Sequence, residues 1–172
     1  MRGHVLVAIA ALFPTLVLAQ QPAAKAAPSP RLFAGAADVT ALVAKAKSER
    51  KPDQANFVQP IVELAPYRSN LEYRVAGIAA AATVHERDAE MFYVVDGAGT
   101  IVTGGTLRDG KRTNAENLAG TAIENGMTRR ITKGDWVMVP QNTPHWFSQI
   151  EGTLVLMSIH LPIPAAAATA SR

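Results

Sequence analysis

Residues 83–100 read TVHERDAEMFYVVDGAGT, and the fold turns on how this stretch is read. The β-branched and aromatic residues of Met91–Val95 make a strand, and Gly97 and Gly99 end it. Into that strand run His85 and Glu90, side chains that bury only against a compensating group such as a metal ion or a hydrogen-bonded partner. Residues two apart on a strand share a face, so Thr83 and His85 point together. Glu90 follows after the turn-like Glu86–Ala89, where an extra residue can reset the phase. His145 arrives from a distant segment entered through Pro140–Pro144, whose two prolines fix the approach. Two imidazoles and one carboxylate from two strands can cover one side of an ion and leave positions for water or substrate.

From Phe57 onward the same grammar repeats. Short β-prone runs at 57–64, 71–84, 90–95, 100–107, 121–131, 135–140, 145–150 and 153–161 are separated by Asn, Gly, Asp and Pro. Helical periods are absent there, which predicts one sandwich, jelly roll or barrel over 55–164. Asn125-Gly126 predicts a hairpin, and so does Glu151-Gly152. The second hairpin would set Ser158 opposite His145 and bring His160 onto the same face, as an acid–base group or an outer donor. By alternation Phe92, Phe147 and Leu156 share the inner face and make the pocket apolar.

Ahead of the strands, Val39, Leu42, Val43 and Ala46 recur at helical spacing behind Asp38. This predicts one short amphipathic helix over 37–50, capped by Asp38 and packed on the outside of the barrel. Residues 20–36 are Pro/Ala-rich without a period and read as a flexible linker, and 165–172 as a loose tail. Residues 1–19 have the parts of a signal peptide: basic Arg2 and His4, the apolar Val5–Leu18, and Ala19 at the cut. The apolar run falls short of the about 20 residues that a bilayer span needs, and Pro14 interrupts it. The expectation is a periplasmic or secreted protein with no membrane attachment after cleavage.

The chain of 172 residues is long enough for one ordinary domain. Its net charge of +3 is scattered; Arg129, Arg130 and Lys133 are the densest cluster and make no nucleic-acid footprint. With no cysteine, thiolate nucleophiles, disulfides and sulfur-bound metals are excluded together. No serine stands in G-x-S-x-G. Gly105–Arg112 approaches the phosphate loop G-x4-G-K-[ST] but ends on Arg112 and joins two strands, so it reads as a turn. Glu86 and Asp88 read as solvent-facing charges, and Trp136 and Trp146 as packing or dimer contacts.

Two spaced motifs gather the candidate residues: Gly77-x5-Thr83-x-His85-x4-Glu90-x6-Gly97 and Gly134-x5-Pro140-x-Asn142-x2-His145-x3-Gln149. They resemble the two motifs of the cupin superfamily, G-x5-H-x-H-x3,4-E-x6-G and G-x5-P-x-G-x2-H-x3-N, and the chain resembles a single-domain cupin of the type-2 kind. The resemblance implies an all-β fold, a cupin-type jelly-roll β-barrel, with a metal held by three histidines and one glutamate. Thr83 replaces the first histidine, Asn142 a glycine and Gln149 the closing asparagine. Asn142 tolerates a left-handed backbone, and Gln149 keeps an amide. His85, Glu90 and His145 remain as metal ligands, while Thr83 would leave a position open or bond a bound water. Thr83, Phe92, Phe147, Gln149, Leu156 and Ser158 would line the pocket, with His160 as a catalytic base.

The expected cofactor is one divalent ion, Fe(II), Mn, Ni or Zn, acting on a small oxygen-bearing molecule. Fe(II) would suit a dioxygenase, and Mn, Ni or Zn an isomerase or lyase. The alternative is a barrel that binds a sugar or aromatic ligand without turnover, Thr83 marking lost metal chemistry. Cupins are often homodimers, and the apolar run 153–159 would serve that.

Overall fold

The computed structural model describes residues 30–163; the signal segment 1–19, most of the linker 20–36 and the tail 165–172 lie outside the described residues. Helix α1 spans Ala36–Glu49, one residue earlier at each end than its spacing predicts. Gly35 is the N-cap, and Asp38 closes the first turn from inside the helix: its Oδ2 accepts the Gly35 N–H at 2.8 Å. The end of the expected linker is also tied down, since Arg31 and Glu63 exchange two backbone hydrogen bonds of 2.9 Å.

The strands are β1 Asn56–Leu64, β2 Tyr67–Val75, β3 Ala82–His85, β4 Asp88–Thr103, β5 Thr106–Arg108, β6 Lys111–Arg112, β7 Asn117–Gly120, β8 Ala122–Glu124, β9 Met127–Thr132, β10 Trp136–Val139 and β11 His145–Pro162. The two longest, β4 and β11, form one antiparallel ribbon. β2 flanks β11, and β1 lies beyond it. β9 and β10 each pair with a different half of β4. At its start β11 also meets β3, which continues into β7 and β6, and β5 pairs with β8. The architecture is all-β, of jelly-roll type, with one helix among the described residues.

Two expected hairpins are corrected. At Glu151-Gly152 the chain does not turn back; β11 runs on through a bulge, with Gly152 at φ 71 and the register shifting between Glu151 and Leu154. Opposite it, Gly97 has φ 82, and a Cβ there would strike the Thr153 carbonyl oxygen. Ser158 therefore faces Phe92 and Asn70 across its neighbours, whereas His145 faces Thr83 and Thr103. Asn125-Gly126 turns a corner instead of closing a hairpin, because β8 pairs with β5 and β9 with β4.

Alternation along the strands sorts the apolar residues into two clusters. Phe92, Val94, Ile101, Ile131, Val139, Phe147, Leu154 and Leu156 fill the barrel. On the outer face Ile61, Leu71, Tyr73 and Val155 pack with Ala46 of α1, and Val39, Leu42, Val43 and Met157 close around them. The helix sits on the outside of the barrel, as its spacing predicts. Leu154 and Leu156 are fully buried inside, each worth roughly 1.5–3 kcal/mol. Val155 and Met157 lie beneath the helix, so the apolar run 153–159 is used within the chain and offers no support for a dimer. No helix among the described residues is long and apolar enough to cross a membrane.

Candidate metal centre

The site forms where β3 ends, β4 begins, and both ends of β11 return. Glu90 is 3% exposed. Its Oε2 lies 3.2 Å from His85 Nε2 and 3.1 Å from His145 Nε2, and its Oε1 lies 3.1 Å from His160 Nε2. One buried carboxylate thus gathers three imidazoles, with His85 5.3 Å from His145 and 5.2 Å from His160 between ring centroids. Register accounts for this: Glu90 pairs with His160 across the β4–β11 ribbon, and His145 pairs with Thr83, two residues before His85. Asn142 adopts the left-handed φ of 58 and sends its N–H to the His85 carbonyl at 2.8 Å, docking the loop that leads to His145.

Outer partners fix the rings. His85 Nδ1 lies 2.6 Å from Asn117 Oδ1, and Asn117 Nδ2 donates to Asn114 Oδ1 at 2.9 Å, which turns the amide oxygen toward the imidazole. His85 therefore donates through Nδ1 and points Nε2 inward. His160 Nδ1 lies 3.2 Å from Asp88 Oδ2; Arg68 Nη2 reaches His160 Nδ1 at 3.0 Å and Asp88 at 3.3 Å. Thr83 Oγ1 stands 3.0 Å from His145 Nε2, and His145 Nδ1 is buried without a partner among the described residues.

Burial alone would raise the Glu90 carboxyl, but hydrogen bonds from His145, His160 and His85 outweigh it and hold the group far below the usual carboxylate range. Burial would lower His85; its bonds to Glu90 and Asn117 and the charge of Glu90 prevail, so it stays protonated above its ordinary value. An ionised carboxylate is thus kept inside the barrel with imidazoles turned toward it.

The residues fit a divalent ion. One ligand atom each from His85, Glu90 and His145 lies within 4.8 Å of the other two, and the nitrogen and oxygen donors suit Fe(II), Mn, Ni or Zn. With its proton on Nδ1, a neutral His85 sets a lone pair against Glu90 Oε2, a contact that a cation between them relieves.

The other expected residues divide. Phe92 lies beside the site, its ring 5.7 Å from that of His145 and 5.2 Å from that of Phe147. Leu156 belongs to the same interior cluster, and Ser158 is fully buried with Oγ unpartnered among the described residues. Gln149 is a correction: it is exposed, in a surface groove beside Val75–Ala80. The register shift between Phe147 and Gln149 turns it outward, and Ile150 takes the inward phase instead. Asp88 is another: its side chain is 16% exposed and is held by His160 and Arg68. Its signal was its place two residues before Glu90 on one strand face. Glu86 does stay near the surface, held by Arg112 at 2.7 and 2.8 Å. Asn117 and Arg68 carry no motif and had no signal in the sequence. A cleft of about 370 Å³ opens at this end of the barrel, lined in part by Tyr67, Arg68, Arg87, Asp88 and Asn117.

The cupin family model matches residues 76–167. No curated protein matches the chain. Among solved structures, TT1209 from Thermus thermophilus is 16% identical with a TM-score of 0.51, over 70% of this chain and 95% of its own. KdgF from Halomonas sp. is 17% identical with a TM-score of 0.49, over 67% and 84%. A protein with a double-stranded β-helix domain from Klebsiella pneumoniae is 14% identical with a TM-score of 0.48, over 68% and 85%. At 16% identity the likeness to TT1209 is one of fold.

Proposed function

The chain belongs to the cupin family, and from that premise we propose an exported metal-dependent cupin that acts on a small oxygen-bearing molecule, as a dioxygenase or as an isomerase or lyase. The observation that carries the metal reading is Glu90, an ionised carboxylate buried among three inward-turned imidazoles. Bound there, the ion would supply Lewis acidity or, as iron, one-electron redox chemistry. His85 and His145 would hold it together with Glu90. Phe92 and Phe147 would keep water from the interior side, and the cleft beside Asn117 and Asp88 would admit the small molecule. Export rests on the layout of residues 1–19, with the mature chain starting at Gln20 in the periplasm or outside the cell.

The test is to purify the chain from Gln20 without chelators and measure its metal by plasma mass spectrometry, beside a His85→Ala, His145→Ala double variant. A metal present near stoichiometry in the wild type and lost in the variant supports the centre. A wild type that is metal-free and ignores added Fe, Mn, Ni and Zn would sink it.

One observation favours a second reading, a barrel that binds a sugar or aromatic ligand without turnover. Thr83 offers no imidazole, and its hydroxyl already occupies His145 Nε2 at 3.0 Å. A His85→Ala variant that loses metal yet keeps a ligand-induced thermal shift would select this reading.

A further inference from the structure

His160 has, on its outer nitrogen, the partner that a metal-bound imidazole needs. A ligating histidine holds its second N–H on a carboxylate or an amide oxygen, which fixes the tautomer and aims the other nitrogen at the ion. His85 has Asn117 Oδ1 in that place at 2.6 Å, and His160 has Asp88 Oδ2 at 3.2 Å. Asp88 is steadied in turn by Arg68 at 3.3 Å. When neutral with its proton on Nδ1, each ring turns a bare Nε2 toward Glu90, His85 at Oε2 and His160 at Oε1. A lone pair 3.1 Å from a carboxylate oxygen is repulsive unless a proton or a cation intervenes, and His160 is only 6% exposed. His85 and His145 both serve Oε2, so among the described residues the Oε1 side of Glu90 has no other imidazole than His160.

We propose that His160 is a ligand of the same centre, its third imidazole, delivered by the far end of β11. The inference rests on the metal reading above and completes its donor set as three imidazoles and one carboxylate. It goes beyond the group of His85, Glu90 and His145, and it gives Asp88 and Arg68 a task, to aim His160. The opposing arrangement is defined by Arg68 Nη2, 3.0 Å from His160 Nδ1. If Arg68 donates there, His160 donates Nε2–H to Glu90 Oε1 and only steadies the carboxylate.

The experiment titrates the chelator-stripped full chain with Co(II), reads affinity by competition with a chelating dye, and counts imidazoles on cobalt by X-ray absorption. Three imidazoles are expected in the wild type. His160→Gln, whose amide still reaches Glu90, should keep two and bind more than about 100-fold more weakly, beyond the 10- to 100-fold that loss of an outer partner costs. Asp88→Asn should keep three and weaken binding by about 10- to 100-fold. Two imidazoles in the wild type, a count that needs no variant to fold, overturns the proposal. So does an equal count in wild type and in a His160→Gln variant shown folded by its melting curve. If the wild type binds no Co(II), the metal reading itself falls; if His85→Ala abolishes binding and His160→Gln does not weaken it, only the role of His160 falls.

Discussion

Thr83 and His145 face each other across β3 and β11, with Oγ1 3.0 Å from Nε2, the nitrogen that also points at Glu90. In the tautomer that ligates an ion, with the proton on Nδ1, the hydroxyl and the ion would compete for one lone pair. Thr83→Val keeps the shape and removes the competitor, so metal affinity should hold or rise. A loss of about 10- to 100-fold, the cost of an outer-shell partner, would mean instead that the hydroxyl holds the centre together. Chelator competition on the two proteins decides it.

The metal-free protein should respond to pH in a definite sense. His85 titrates above its ordinary value of 6.5 in the fold, so its stabilising effect is complete below 6.5 and is lost as pH rises through the raised value. Glu90 titrates below its ordinary value of 4.5, so its effect is present above 4.5 and fades only in strong acid. Chelated protein should therefore melt lower as pH climbs above 6.5. With metal present the trend should reverse, because the ion needs neutral imidazoles. Melting profiles that run parallel with and without chelator would contradict both statements.

A second buried ion pair makes a stability prediction away from the centre. Glu72 and Arg74 approach to 2.6 Å with side chains 7% and 13% exposed, and the Arg74 guanidinium lies 4.2 Å from the Phe147 ring centroid. Arg74→Ala leaves Glu72 charged and poorly paired, and should cost about 3–5 kcal/mol in urea unfolding. Replacing both by Met should recover most of that loss. A cost below about 1 kcal/mol for Arg74→Ala, the range of exposed pairs, would show that water reaches the pair.

Gly97→Ala should destabilise the fold by more than about 1 kcal/mol, because an L side chain is strained at φ 82 and its Cβ would meet the Thr153 carbonyl. Thermal melting should register this as a fall of at least about 2–4 °C. An unchanged melting temperature would mean that the β4–β11 ribbon relaxes there freely.

The sequence carried the barrel, the outer helix and the trio His85, Glu90 and His145, because alternation and motif spacing are local patterns. Continuous pairing is not local. Gly152 and Gly97 look like hairpin and strand-end signals, yet one is a bulge and the other a point where the partner strand's Thr153 carbonyl leaves no room for a Cβ. Gln149 was misplaced for the same reason, since one bulged residue inverts the face of those that follow. His160 arrived on the inner face although the hairpin argument that put it there was wrong, because Leu154, Leu156 and Ser158 keep strict alternation up to it. Asn117 and Arg68 come from strands with no distinguishing pattern, and only the closed barrel brings them to His85 and His160.

His145 and His160 belong to one strand, fifteen residues apart. Drawn out flat at about 3.3 Å per residue they would stand roughly 50 Å from each other. In the barrel each has its Nε2 3.1 Å from the same carboxylate. β11 reaches that state only by coiling through its three register shifts. The curl of this strand and the integrity of the centre are therefore one variable. An ion gripped at both ends of β11 would act as a clasp on the coil, and whatever loosens the coil, even at Gly152 midway along the strand, would open the clasp.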